Sequence, residues 1–133
     1  MRIASYNVEN LFTRARALNL DSWSEGRAIL EAYAEINALF EEPVYSDAHK
    51  VRLVALLKAL GLDRRNESRF AELRENRGRL LKRTPGVDPH IVAGGRGEWL
   101  GWVELRTEVI NATATRNTAQ VVRDVGADVM GIV

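Results

Sequence analysis

The sequence predicts a mixed fold of the α/β (α+β) class. Three observations predict it. Apolar strands open the chain at residues 2–8 and close it at 127–133. Two stripes of helical spacing fill residues 23–60. Residues 79–110 then alternate with the two-residue period of strands.

The opening segment "RIASYNVENLF" begins as a strand. Ile3, Ala4, Tyr6 and Val8 all suit burial, as in a strand covered on both faces. Asn7, Glu9 and Asn10 then interrupt it with polar groups. Either the chain reaches the surface there, or something polar is held at that end.

Asp21 or Ser22 suits the cap of a helix starting near Trp23, with Ile29, Leu30, Tyr33, Ile36, Leu39 and Phe40 as its stripe. Glu41, Glu42 and Pro43 end it. A second helix from Ser46 or Asp47 turns Val51, Val54, Leu57 and Leu60 inward. Gly61 stands where a left-handed cap belongs. Together these form a helical hairpin.

Residues 66–78 suit a helical turn and a short strand equally. "GRLLKR", the turn "TPGVDP" and "HIVA" read as a β-hairpin. "GGRG" makes another turn. "EWLGWVELRTEVI" reads as one long strand, with Trp99, Gly101, Val103 and Leu105 on one side and Leu100, Trp102, Glu104 and Arg106 on the other. It is expected in a three-stranded antiparallel unit. Residues 112–125 form a helix with Ala114, Thr118, Val121, Val122 and Val125 as its stripe, Thr113 as cap and Gly126 as stop. This helix feeds the closing strand. If that strand lies parallel to residues 2–8, the crossover should be right-handed, and both carboxyl ends lie side by side, where such sheets gather ligands.

Composition narrows the function. The 133 residues carry 19 basic and 18 acidic side chains, a net charge of +1, which disfavours strong non-specific binding to nucleic acid or membrane. With no cysteine, disulfides, thiolate metal sites and cysteine nucleophiles are excluded. No apolar run approaches the roughly 20 residues of a membrane span, so a cytoplasmic location is expected. There is no phosphate-binding P-loop; "GGRG" precedes a strand, not a helix. His49 and His90 have no metal-pair spacing. The aromatics of "EWLGWVE" suit packing or base stacking, and the basic run "RENRGRLLKR" suits a solvated face or phosphate contact. Asn7 has an amide for a metal or a phosphate oxygen, and Glu9 an oxygen for Mg²⁺ or Mn²⁺. The plainer alternative is that Asn7 caps a turn and Glu9 is solvated.

"RIASYNVENLF" resembles the first strand of the endonuclease/exonuclease/phosphatase superfamily, the DNase I-like fold. "RNTAQVVRDVGADVMGIV" resembles that family's first core helix and second strand. The resemblance covers about thirty residues and implies a four-layered α/β sandwich, with residues 13–110 as a helical-hairpin and β-hairpin insertion. It implies a hydrolase of phosphodiesters or phosphomonoesters using Mg²⁺ or Mn²⁺. Asn7 matches the family's active-site asparagine, Glu9 an acidic position near the metal, and Asn10 is a candidate substrate contact. The family's main metal-binding glutamate follows the second strand directly, and its later Asp/Asn and Asp-His pairs have no counterpart here. Residues 1–133 are therefore expected to be the N-terminal portion of one such domain, inactive and metal-free alone. The intact enzyme would act on a phosphate ester, nucleic acid included. The portion itself would self-associate or pair with the missing part. The alternative is a non-enzymatic module that binds a partner through the helical hairpin and the Trp-bearing strand.

Overall fold

The computed structural model describes residues 1–8 and 13–133. Glu9 and Asn10 lie outside the described residues. The fold is α+β, with three α-helices and four two-stranded sheets among the described residues. The chain divides into two compact units: residues 1–15 with 107–133, and residues 16–106.

In the first unit, β1 (Ile3–Tyr6) pairs in parallel with β8 (Val129–Ile132), Ile3 opposite Val129 and Tyr6 opposite Ile132. The parallel arrangement expected from the sequence is present. Beyond the strands the ladder continues, Val133 N donating to Tyr6 O and Val8 N to Val133 O. The register is pinned at the other end by Arg2. Its backbone N–H donates to Asp128 Oδ2 at 2.6 Å, and its guanidinium to Val125 O at 2.8 Å. Val125 ends α3 (Ala112–Val125), so Arg2 supplies a cation and a donor to unsatisfied carbonyls at a helix C-terminus. Gly126 caps α3 in the left-handed conformation, as expected. The N-cap, however, is Asn111, whose side chain accepts from Ala114 N, not Thr113. The Asn111 amide oxygen, two positions earlier, takes a first-turn N–H, so the helix starts at Ala112 and Thr113 falls inside it. A short pair, β2 (Thr13–Ala15) with β7 (Thr107–Val109), completes the unit.

Of the described residues in this unit only Ile110 is buried. No residue of α3 is buried, and Ile3 and Ile132 are 67% and 61% exposed. In the stripe, Ala114, Thr118 and Val122 are partly buried, while Val121 and Val125 stay exposed. Parallel strands are normally covered on both faces, and two strands with one helix are marginal alone.

The second unit holds the core. A 3-10 turn (Arg16–Asn19) leads to α1 (Trp23–Phe40) and α2 (Asp47–Ala59). Ser22 is the N-cap of α1, but its hydroxyl meets that of Ser24 rather than the backbone; Ser46 caps α2 by accepting from His49 N. Ile36 and Phe40 of α1 pack with Leu53, Leu56 and Leu57 of α2. Leu60, just past the helix, is also buried. Val51, expected inward, is 72% exposed: the buried face of α2 runs through Leu53, Leu56 and Leu57, to which Val51 is not aligned.

The ambiguous stretch resolves as β3 (Ala71–Arg77), antiparallel to β6 (Leu100–Leu105). The expected hairpin forms as β4 (Leu81–Lys82) with β5 (His90–Ile91). The expected three-stranded unit does not form: β3–β6 and β4–β5 are separate sheets. Nor is 98–110 one strand. It breaks at Arg106, and β6 and β7 take different partners. The alternation within β6 holds, with Gly101 and Val103 buried and Trp102 and Glu104 exposed. The "GGRG" turn has a packing reason. A Cβ on Gly95 would lie 2.0 Å from Pro43 O, and Tyr45 N donates to Gly94 O.

Candidate functional site

Asn7 follows β1 directly at its carboxyl end. Its neighbours Tyr6 and Val8 are both bonded to Val133, so the parallel ladder holds the Asn7 backbone beside the end of β8. Asn7 itself is exposed, which suits a residue that meets a ligand and equally one that meets solvent. It supplies one neutral oxygen and one N–H₂ donor. Among the described residues no group of three or more His, Cys, Asp or Glu stands together as a metal-holding set.

The other sequence candidates separate by what they touch. Trp99 is fully buried, its ring 4.6 Å from that of Phe40 in an edge-to-face arrangement. Its indole N–H donates to Glu75 Oε2, which also accepts from Leu80 N. Trp99 is thus a packing residue, whereas Trp102 is 44% exposed. The run "RENRGRLLKR" is largely engaged within the protein. Arg74 pairs with Glu72 and Glu104, and Arg77 donates to Gly97 O. Arg83 donates to Asp63 O and Leu62 O, and burial pushes its guanidinium pKa down, though it stays charged. His49 lies in α2 and His90 in β5.

The concave regions of the second unit include one along α2 and one beside the α2–β3 connection. The first, of about 510 Å³, runs past Lys50, Val51, Val54 and Lys58 to Asp88 and His90. The Lys58 ammonium, 2.8 Å from Asp88, holds that carboxyl below its usual range by hydrogen bonding and charge. The second, of about 500 Å³, is lined by Gly61, Arg65, Glu67, Ser68, Arg69 and Arg106. Sequence reading missed it, because its arginines come from the α2–β3 connection and from the break after β6. The only signal was the run of arginines at 64, 65 and 69.

Among the described residues no helix is long and apolar enough to cross a membrane. Compared with family models, curated proteins and solved structures, the chain matches none.

Proposed function

We propose that this chain is the N-terminal portion of a divalent-metal-dependent phosphoesterase of the DNase I-like type. The parallel pairing of β1 with β8 carries the proposal, because it sets Asn7 at the carboxyl end of two adjacent strands. The division of the chain also supports it: residues 1–15 and 107–133 form one unit, and 16–106 another, as an inserted segment would. So do the uncovered apolar side chains of β1, β8 and α3, which the rest of a sandwich would cover.

In this reading Asn7 donates an amide hydrogen bond to a phosphate oxygen and fixes it while water attacks phosphorus, the ester P–O bond breaks, and the alcohol leaves with a proton from that water. The developing charge on that oxygen strengthens the bond in the transition state. Glu9 belongs to the reading as the carboxylate beside Mg²⁺ or Mn²⁺, and Asn10 as a substrate contact. The ion, when bound, supplies Lewis-acid stabilisation.

The test is hydrolysis of bis(p-nitrophenyl) phosphate and p-nitrophenyl phosphate by the full-length gene product, with Mg²⁺ or Mn²⁺ and with a chelator. Metal-dependent turnover that falls about 100-fold in Asn7→Ala supports the proposal. No turnover, or turnover indifferent to Asn7→Ala, overturns it and favours a binding module.

A further inference from the structure

We propose that the hollow formed by Arg65, Arg69 and Arg106 in the second unit is a binding site for a phosphate group. It stands apart from the phosphoesterase reading, since none of its residues belongs to the first unit.

The lining sets three arginines against one carboxylate, Glu67. Arginine keeps its charge at every working pH and presents a planar fork that matches a phosphate. Two of the three are already held. Arg106 donates from Nη1 to Ser68 O at 3.2 Å, and its backbone N–H donates to Phe70 O at 2.8 Å. Its guanidinium therefore needs little further ordering to bind. Arg69 lies over the Phe70 ring at 4.9 Å. That cation–π contact restrains the guanidinium beside the hollow. Glu67 approaches Arg106 only to 3.7 Å and is itself well exposed, so it neutralises the hollow weakly.

Gly61 and Ser68 complete the lining. Gly61 has φ +72°, and a Cβ there would lie 3.1 Å from Ser68 Cβ. The left-handed turn after α2 thus presses against Ser68 with no side chain between. The Ser68 hydroxyl is tied to the Ala71 backbone, accepting from its N–H at 3.1 Å and donating to its carbonyl at 3.2 Å. Three cations around a hollow whose Ser68 is tied to the backbone suit a compact, multiply charged oxyanion better than a single carboxylate.

The test uses the 133-residue chain labelled with ¹⁵N, in low salt with chelator present, titrated with inorganic phosphate, adenosine monophosphate and a short oligothymidylate. Saturable shifts are expected at Gly61, Ser68, Arg69 and Arg106. Arg65→Ala should weaken binding about tenfold. Arg65→Lys should restore part of it, and Lys50→Ala, in the other groove, should leave it unchanged. Equal affinity for phosphate and the mononucleotide identifies a lone phosphate group as the ligand. Tighter binding of the oligonucleotide identifies a nucleic-acid backbone. Both outcomes support the site. Absence of shifts at those four residues overturns it, as does equal weakening by Arg65→Ala and Lys50→Ala.

Discussion

The side-chain amide of Asn37 pairs with both backbone groups of Val103: Nδ2 donates to Val103 O at 3.1 Å, and Oδ1 accepts from Val103 N at 2.9 Å. An amide in helix α1 thus does for β6 what a neighbouring strand would do. Val103 stands opposite Leu73, and Leu73 N donates to Asn66 O rather than to Val103. Without Asn37, a donor and an acceptor on a strand whose side chain is buried would lose their partners. Asn37→Ala should therefore destabilise the chain by about 2–3 kcal/mol, since each unsatisfied buried group costs roughly 1–3 kcal/mol. Urea unfolding measures it. Asn37→Asp should lose the donor near neutral pH and recover stability on acidification, because only the protonated acid can donate to Val103 O. A flat stability profile across pH 7 to 4 for that variant would count against the pairing.

Glu75 and Trp99 make a second test. One carboxylate oxygen accepts from the indole N–H at 2.9 Å and from Leu80 N at 3.1 Å. Glu75→Gln keeps an acceptor and should cost little. Glu75→Ala strands both donors and should cost about 2 kcal/mol. The near-UV dichroism of Trp99 should weaken in the alanine variant and persist in the glutamine one.

Arg2 clamps β1 to the end of α3 through Asp128 and Val125. Arg2→Ala removes the guanidinium bond to Val125 O and keeps the backbone bond to Asp128. Amide exchange in Ile3–Tyr6 should accelerate, by the several-fold that a loss of about 1 kcal/mol implies. Exchange at Leu53 and Leu57 in the second unit should be unchanged.

Acid should weaken the second unit's surface pairs. Arg52 holds the Glu35 carboxyl below its usual range, Arg74 does so for Glu104, and Lys58 for Asp88, in each case chiefly by hydrogen bonding. A depressed folded-state pKa means stability present above the unfolded pKa and lost as pH falls through the folded one. The urea midpoint should therefore decline below about pH 4, and decline less in Glu35→Gln. All three carboxylates are exposed, so each contribution is small.

The uncovered apolar side chains of the first unit should drive association. Sedimentation of the 133-residue chain at rising concentration should show species heavier than the monomer, and Val125→Glu with Val129→Lys should reduce them. A monomer across the whole range would remove that support from the phosphoesterase proposal.

The helical hairpin was legible because its signals are local. Ser46, Gly61 and the apolar spacing act within a few residues of where they stand, and α1 and α2 lie where that spacing puts them. The alternation of β6 was legible for the same reason. The break at Arg106 was not, because two-residue periodicity runs unbroken through it, and the choice of partner for β7 rests on residues far away in sequence. The burial of Trp99 and exposure of Trp102 followed from their opposite faces, but the Glu75 partner of the indole had no sequence signal.

By itself the sequence determined the helices, the caps that glycine supplies, the absence of thiol chemistry, and the polar interruption at Asn7. Tertiary structure alone decided that two antiparallel pairs form instead of a three-stranded sheet, and that Arg65, Arg69 and Arg106 share one hollow. The division has a physical reason. Helix hydrogen bonds close within four residues, so local chemistry specifies them. Strand partners and ligand hollows join residues tens of positions apart, and only the packed chain brings those together.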